Sequence, residues 1–187
     1  MIRGRPLGGS FLNRDEILST ALKLLEESGP GAVSLRAIAK KLGVTPMAIY
    51  GHFSDKEGLV RGMSDAIYVR VLSAFRKKNG KPQDLLESLL VNYYEAVVQL
   101  PQLTLLIFAT PAEFSSEVQS ITKHLSDLLS KSKLSLPQRK LWLEILVDLT
   151  HGSALATASI PETNREFLNK QKRRFRQQLE EMFSHIF

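Results

Sequence analysis

Apolar residues recur three and four positions apart along almost the whole chain, and no stretch alternates strictly as a half-buried strand would. The pattern predicts helices. The first opens at Asn13, a capping residue with Glu16 as its capping-box partner and Leu12 and Ile17 placed as a staple. Ile17, Leu18, Ala21, Leu22 and Leu25 line one face, and Gly29-Pro30-Gly31 stops it. Ser34 caps a short second helix through Lys41, with Leu35, Ile38, Ala39 and Leu42 inward and Gly43 at its end. Thr45 caps a third, with Pro46 at its first position, where a missing N–H costs nothing, and this helix ends near Phe53. Ser54 with Glu57 then reads as a capping box for a long helix to about Lys78.

Asn79-Gly80 and Pro82 break the chain. Beyond them a helix is predicted from Asp84 to Gln99, stopping at Pro101, and a short apolar segment from Leu103 to Thr110 ends at Pro111. A helix from Ala112 to Leu129 follows. Ser135 with Gln138 caps another from Pro137 to about Ser159. Ser159 with Glu162 caps the last, in which Leu168, Gln171, Phe175, Leu179, Met182 and Ile186 share a face. The expected fold is all-α. It divides into a three-helix unit at 1–54, a connecting helix at 55–78 and a larger helical domain at 79–187.

Charge sharpens this division. Residues 1–78 carry 13 Lys/Arg against 7 Asp/Glu, whereas residues 79–187 are neutral, so the whole net charge of +6 lies at the front. Such asymmetry points to a polyanion-binding front and a neutral back. With no cysteine, disulfides, thiolate metal sites and cysteine nucleophiles are excluded. No apolar run approaches the roughly 18 residues of a membrane span, and no apolar run follows the basic N-terminus, so a soluble cytoplasmic protein is expected.

The stretch from Ser34 to Tyr50 has the layout of a helix-turn-helix. Ala39 is small where two helices cross, Gly43 permits the tight turn, and Val44 and Ile49 pack the second helix on the first. Thr45, Met47 and Ala48 are left facing outward, free to enter a major groove. The run Leu42-Gly43-Val44 through Ile49-Tyr50-Gly51-His52-Phe53-Ser54-Asp55-Lys56-Glu57-Gly58-Leu59 resembles the N-terminal domain of TetR-family transcriptional regulators over about residues 11–65.

The resemblance implies that Thr45, Pro46, Met47 and Ala48 sit at or near base edges and that Tyr50 and His52 reach the backbone. Lys56, at the positive end of the connecting helix, would hold a phosphate. Ser34 and Arg36 would contact the flanking backbone. Gly51 lies where many members carry an aromatic or long polar side chain, which shifts readout toward Thr45, Met47 and DNA shape. Arg3 and Arg5 around Gly4 resemble a minor-groove arm; a plain basic tail is the competing reading.

The segment 137–159 is apolar or small on most sides, with one polar stripe of Lys140, Glu144, Asp148 and His151. A helix this greasy must be covered widely, and Gly152, Ser153, Ala154 and Ala156 admit a close neighbour. With the last helix it reads as half of a four-helix homodimer interface, the arrangement the resemblance also implies. The stripe reads as a solvated seam with a Lys140–Glu144 ion pair. The resemblance further implies a sensor pocket, for which Asn92, Tyr93, Phe108, Thr110, Phe114, His124, Trp142, Thr150 and His151 are the candidates.

The segment Phe108-Ala109-Thr110-Pro111 is similar to the effector domain of tetracycline-responsive members, which bind a drug chelated to Mg²⁺. There Ile107 stands where those members place a metal-ligating histidine, and isoleucine has no lone pair to offer. A largely apolar, metal-free ligand is therefore expected, held by His151 or Thr110, with no cofactor.

The chain thus reads as a three-helix DNA-binding head joined by a long helix to an effector and dimerisation domain. The expected function is a ligand-responsive repressor that binds a palindromic operator in double-stranded DNA as a homodimer. Two other readings stay open. A constitutive DNA-binding adaptor would have a filled C-terminal core, and an enzyme using Asp148 and His151 would have a deep cleft holding both.

Overall fold

A computed structural model describes residues 12–76, 78–110, 114–161 and 164–187. Among them are nine α-helices and no strand. The head is built from α1 (Arg14–Ser28), α2 (Leu35–Leu42) and α3 (Pro46–Tyr50), with one 3-10 turn at Pro30–Ala32. Asn13 Oδ1 accepts the Glu16 N–H at 2.8 Å, and Ser34 Oγ accepts that of Ala37 at 3.1 Å. These caps start their helices where the sequence places them, although the Glu16 side chain does not return a bond. Gly43 turns the chain at φ +68°, a left-handed conformation that glycine adopts without a Cβ penalty. Thr45 occupies the cap position of α3, but its side chain makes no cap bond.

The connecting helix α4 (Lys56–Arg76) is capped by Asp55, not by Ser54 with Glu57. Asp55 Oδ1 accepts the Gly58 N–H at 2.6 Å while the Ser54 hydroxyl donates to its other oxygen at 2.9 Å. A carboxylate is the better acceptor at the positive end of a helix, so the start moves by one residue.

Behind α4 lie α5 (Pro82–Gln99), α6 (Pro101–Phe108), α7 (Ser116–Leu129), α8 (Leu136–Ala158) and α9 (Arg165–Phe183). Pro82 and Pro101 open helices rather than merely ending what precedes them, as the first-turn tolerance for proline allows. The start of α7 falls at Ser116 instead of Ala112, because Ser115 and Asp65 supply its N-terminal acceptors. Gln138 Oε1 accepts the Ser135 N–H at 2.9 Å, the expected box at the head of α8. Asn164 caps α9 by accepting from Phe167 at 2.8 Å, whereas Ser159 ends α8, and Glu162 lies outside the described residues.

Two apolar cores result. One joins α4, α5, α7, α8 and α9 around Leu72, Leu86, Leu89, Tyr94, Leu146, Phe175 and Leu179. The other fills the head with Ile17, Leu25, Ile38, Ile49, Phe53, Leu59 and Met63, and takes Leu103 and Leu106 from α6 and Leu100 from the junction before it. Helix α6 therefore packs into the head although it lies beyond the break at Asn79-Gly80. Ile67 and Ile107 pack against both cores.

Candidate nucleic-acid interface and ligand cavity

The turn at Gly43 fixes what α3 shows to solvent. Ile49 is fully buried and Val44 half-buried, which leaves Thr45, Pro46 and Met47 outward; Met47 is 75% exposed. Ala48 is half-buried, and Tyr50 and His52 are exposed just beyond. Lys56 opens α4 nearby, exposed, and Arg36 is exposed on α2. Ser34 is half-buried; its oxygen caps α2, so it can offer a ligand only its hydroxyl proton. The α4 N-terminus is not an empty anion site. The Gly58 N–H, and then the Ser54 hydroxyl, hold the Asp55 carboxyl below its usual range, so a negative charge already sits there. Attraction of a phosphate rests on the Lys56 side chain. Arg3 and Arg5 lie outside the described residues.

In the larger domain, α4, α5, α6, α7 and α8 enclose a cavity of about 470 Å³. Four sequence candidates line it: Tyr93, Phe108, Phe114 and His151. Five lie elsewhere. Thr150 and Thr110 spend their hydroxyls on carbonyls four residues back, Leu146 at 2.7 Å and Leu106 at 2.6 Å. His124 packs against Phe75 at 5.2 Å, and Trp142 packs half-buried on the C-terminal core. Asn92 has its side-chain nitrogen buried without a partner, away from the cavity.

Tyr68 from α4 and Thr104 from α6 were missed, since nothing local distinguishes them from core residues. Glu144 and Asp148 line the cavity while remaining exposed, so the stripe on α8 is solvated and forms part of the cavity's rim, and no Lys140–Glu144 ion pair forms among the described residues. A shallow depression along α9, lined by Arg165, Lys172, Arg173 and Arg176, is wider but open to solvent.

The cavity's polar groups are ordered around His151. Its Nε2 lies 2.6 Å from the Tyr93 hydroxyl. Burial, and then the neighbouring Tyr68, lift Tyr93 well above the ordinary phenol value, so Tyr93 stays protonated. Burial also holds His151 below the ordinary imidazole value, against the opposing pull of Asp148. A neutral ring accepting at Nε2 carries its proton on Nδ1. Tyr93 packs on Tyr68 and on His151, each at 5.3 Å, and Phe108 meets His151 edge-on at 5.1 Å.

Asp148 and His151 thus share a cleft, the mark set for an enzyme. However, Nε2 is occupied by Tyr93, and no serine, cysteine or lysine lines the cavity to act as a nucleophile. Among the described residues no group of three His, Cys, Asp or Glu side chains is arranged to hold a metal ion.

The low proton affinity of His151 makes stability pH-dependent. The native state binds this proton less readily than the unfolded chain, whose imidazole titrates near 6.5. The stabilising contribution is therefore complete above that pH and is lost as pH falls toward the native value. Urea midpoints measured from pH 8 to pH 5 should fall less steeply for His151→Gln than for the parent; superimposable profiles would contradict the assignment.

Helix α4 connects cavity and head. Asp65 Oδ1 accepts the Glu117 N–H at 3.0 Å and the Ser116 hydroxyl at 3.2 Å, and the buried Ser64 and Ser115 hydroxyls meet at 2.9 Å. The start of α7, next to the cavity wall at Phe114, is thereby tied to α4.

An all-α chain with an exposed helix-turn-helix head and a cavity-bearing helical body defines a class of bacterial regulators. Residues 17–63 match the family model for bacterial regulatory proteins of the tetR family. The HTH-type transcriptional repressor ComR of Escherichia coli K12 is 30% identical over 95 residues, 51% of this chain and 44% of its own, so the chain spans less than half of that relative. The regulator SCO7222, a TetR from Streptomyces coelicolor, superposes with a TM-score of 0.75 over 94% of this chain and 97% of its own at 19% identity. BioQ with its natural double-stranded DNA operator superposes with a TM-score of 0.66 over 90% of this chain and 98% of its own, also at 19% identity. The head of the chain matches the tetR family model, and the chain's fold is that of the solved TetR structures throughout.

Proposed function

We propose that this protein is a cytoplasmic, ligand-responsive transcriptional repressor that binds a palindromic operator as a homodimer and leaves it when the cavity is filled. The observation that carries the reading is that one helix serves both ends. Lys56 begins α4 beside the recognition helix, and Tyr68, twelve residues or roughly 18 Å along it, is cavity wall. Helix α6 repeats the arrangement, with Thr104, Ile107 and Phe108 on the cavity and Leu103 and Leu106 in the head.

A ligand that parts these walls shifts the two heads of a dimer away from the roughly 34–36 Å separation of successive major grooves. Coupling of this kind is typically worth about 1–3 kcal/mol. BioQ's complex with its operator supports the DNA-binding half of the reading. The cavity favours an effector over the adaptor reading, which asks for a filled core. The division into a head at 1–54, a connector at 55–78 and an effector and dimerisation domain at 79–187 follows this scheme.

In this reading Thr45, Pro46, Met47 and Ala48 face base edges, and Tyr50, His52, Ser34, Arg36 and Lys56 face the backbone. The two groups separate by salt. With a duplex selected from a random pool, Lys56→Ala should weaken all sequences alike and lower the slope of log affinity against log salt by about 1. Substitutions of Thr45 or Met47 should instead change sequence preference with the slope intact. A Lys56→Ala protein with unaltered affinity and slope removes Lys56 from the interface.

A further inference from the structure

The cavity's charge is lopsided. Fifteen residues line it, including the carboxylates of Glu144 and Asp148, and none of the fifteen is lysine or arginine. Its one ionisable nitrogen base is His151, whose proton affinity burial lowers and which meets the Tyr93 hydroxyl. Neither carboxylate has an ion-pair partner among the described residues, whereas Glu27, Glu87, Glu95 and Asp127 are all paired. The rest of the wall is aromatic and aliphatic, from Tyr68, Tyr93, Phe108 and Phe114 to Ile121 and Leu125. Deep in the wall, Thr104 Oγ1 is buried without a hydrogen bond of acceptable geometry, although the Tyr68 hydroxyl lies close enough to feel it.

These features select among ligands. An anion would meet two unneutralised carboxylates and no cation. A wholly apolar ligand would cover the carboxylates without replacing their water. A cation with an aromatic body satisfies both sets of groups: the carboxylates supply opposite charge, and ring faces within about 6 Å add cation–π attraction. We propose that the cavity binds a lipophilic cation, an ammonium carried on an aromatic body, with Glu144 and Asp148 as its counter-charges. The proposal rests on the reading of this cavity as the effector site and adds a positive charge to the largely apolar ligand expected from the sequence. The ammonium lies at the α8 wall between the two carboxylates, and the aromatic body lies between the tyrosines and Phe114.

Three probes that share one aromatic body and differ in head group isolate the charge: (1-naphthylmethyl)trimethylammonium, 1-naphthylmethanol and 1-naphthylmethanesulfonate. Their affinities for the full-length protein are read by calorimetry, and release of a bound duplex is scored separately by anisotropy. The ammonium should bind at least about tenfold tighter than the alcohol, and the sulfonate should bind weakest. In the Glu144→Gln/Asp148→Asn double variant the ammonium should fall to the alcohol's affinity, with the alcohol itself unchanged.

Both carboxylates belong to exposed residues, so the variant retains the fold, which the alcohol's unchanged binding verifies. Equal binding of ammonium and alcohol by the parent protein overturns the cation proposal. If the alcohol then still releases DNA, the effector reading survives. Tightest binding by the sulfonate also overturns the proposal, and binding of none of the three overturns both readings. Ammonium binding with the predicted preference but no release of DNA supports the cation site and overturns the effector reading.

Discussion

Gly62→Val is expected to destabilise the head by about 2–3 kcal/mol and to cost DNA binding with it. Glycine inside an exposed helix is itself unfavourable by about 1 kcal/mol relative to alanine, so its presence in the middle of α4 needs a reason. The reason is space. A Cβ at this position would lie 2.9 Å from Phe53 Cε1, 3.0 Å from Leu18 Cδ2 and 3.1 Å from Arg14 Nη2. The arginine can swing away, at the loss of its stacking 4.5 Å over the Phe53 ring. Phe53 and Leu18 cannot, because both are buried in the head core.

A valine therefore forces α4 off the helix-turn-helix domain at the point where a ligand signal would cross. Gly62→Ala is the milder test, since its gain in helix propensity opposes the clash. Thermal unfolding of Gly62→Val should fall by several degrees, at about 2–4 °C per kcal/mol for a chain of this size. A valine variant as stable as the parent would mean that α4 does not sit this close.

The local grammar of the chain was legible. Asn13, Ser34, Gly43 and Pro46 mark their elements because caps, left-handed turns and first-turn prolines depend only on neighbouring backbone. Competition between adjacent acceptors was harder to read: Ser54 and Asp55 both suit a cap, and the stronger acceptor wins. The cavity was half legible. His151 and Tyr93 stand out as polar groups on apolar faces, but Tyr68 and Thr104 join them only through the rotation of α4 and α6, which no local pattern encodes. Thr110 and Thr150 were misleading for a physical reason: a threonine in a helix or just past its end readily donates its hydroxyl proton to a carbonyl four residues back and so has no donor left for a ligand. Glu144 and Asp148 are exposed, as residues of a polar stripe usually are, and only the packing of α8 puts them on the cavity rim.

Two alanines two residues apart on α8, and so on opposite faces, should separate folding from assembly. Ala154 is fully buried in the C-terminal core of a single protomer, so Ala154→Arg places an unpaired charge in that core and should yield insoluble or unfolded protein whatever the oligomeric state. Ala156 is exposed. It lies on a face with Leu141, Ile145 and Gly152, where Leu141 is 56% exposed and a Cβ at Gly152 would meet nothing within 4 Å. Such a face, apolar or small over four turns but for Asp148 at its edge, is what a second copy of α8 would cover.

If it does, Ala156→Arg buries two arginines across the two-fold axis, one from each protomer. The loss is roughly 3–5 kcal/mol for an uncompensated buried charge, and each protomer keeps its fold. That is at least a hundredfold in the dimer dissociation constant. Light scattering should then report soluble monomers with unchanged helical circular dichroism, and operator affinity should fall because one head alone reads half a palindrome. An Ala156→Arg protein that remains a dimer at the parent's dissociation constant would place the contact on another face, with the charged outer surface of α9 the next to be tested.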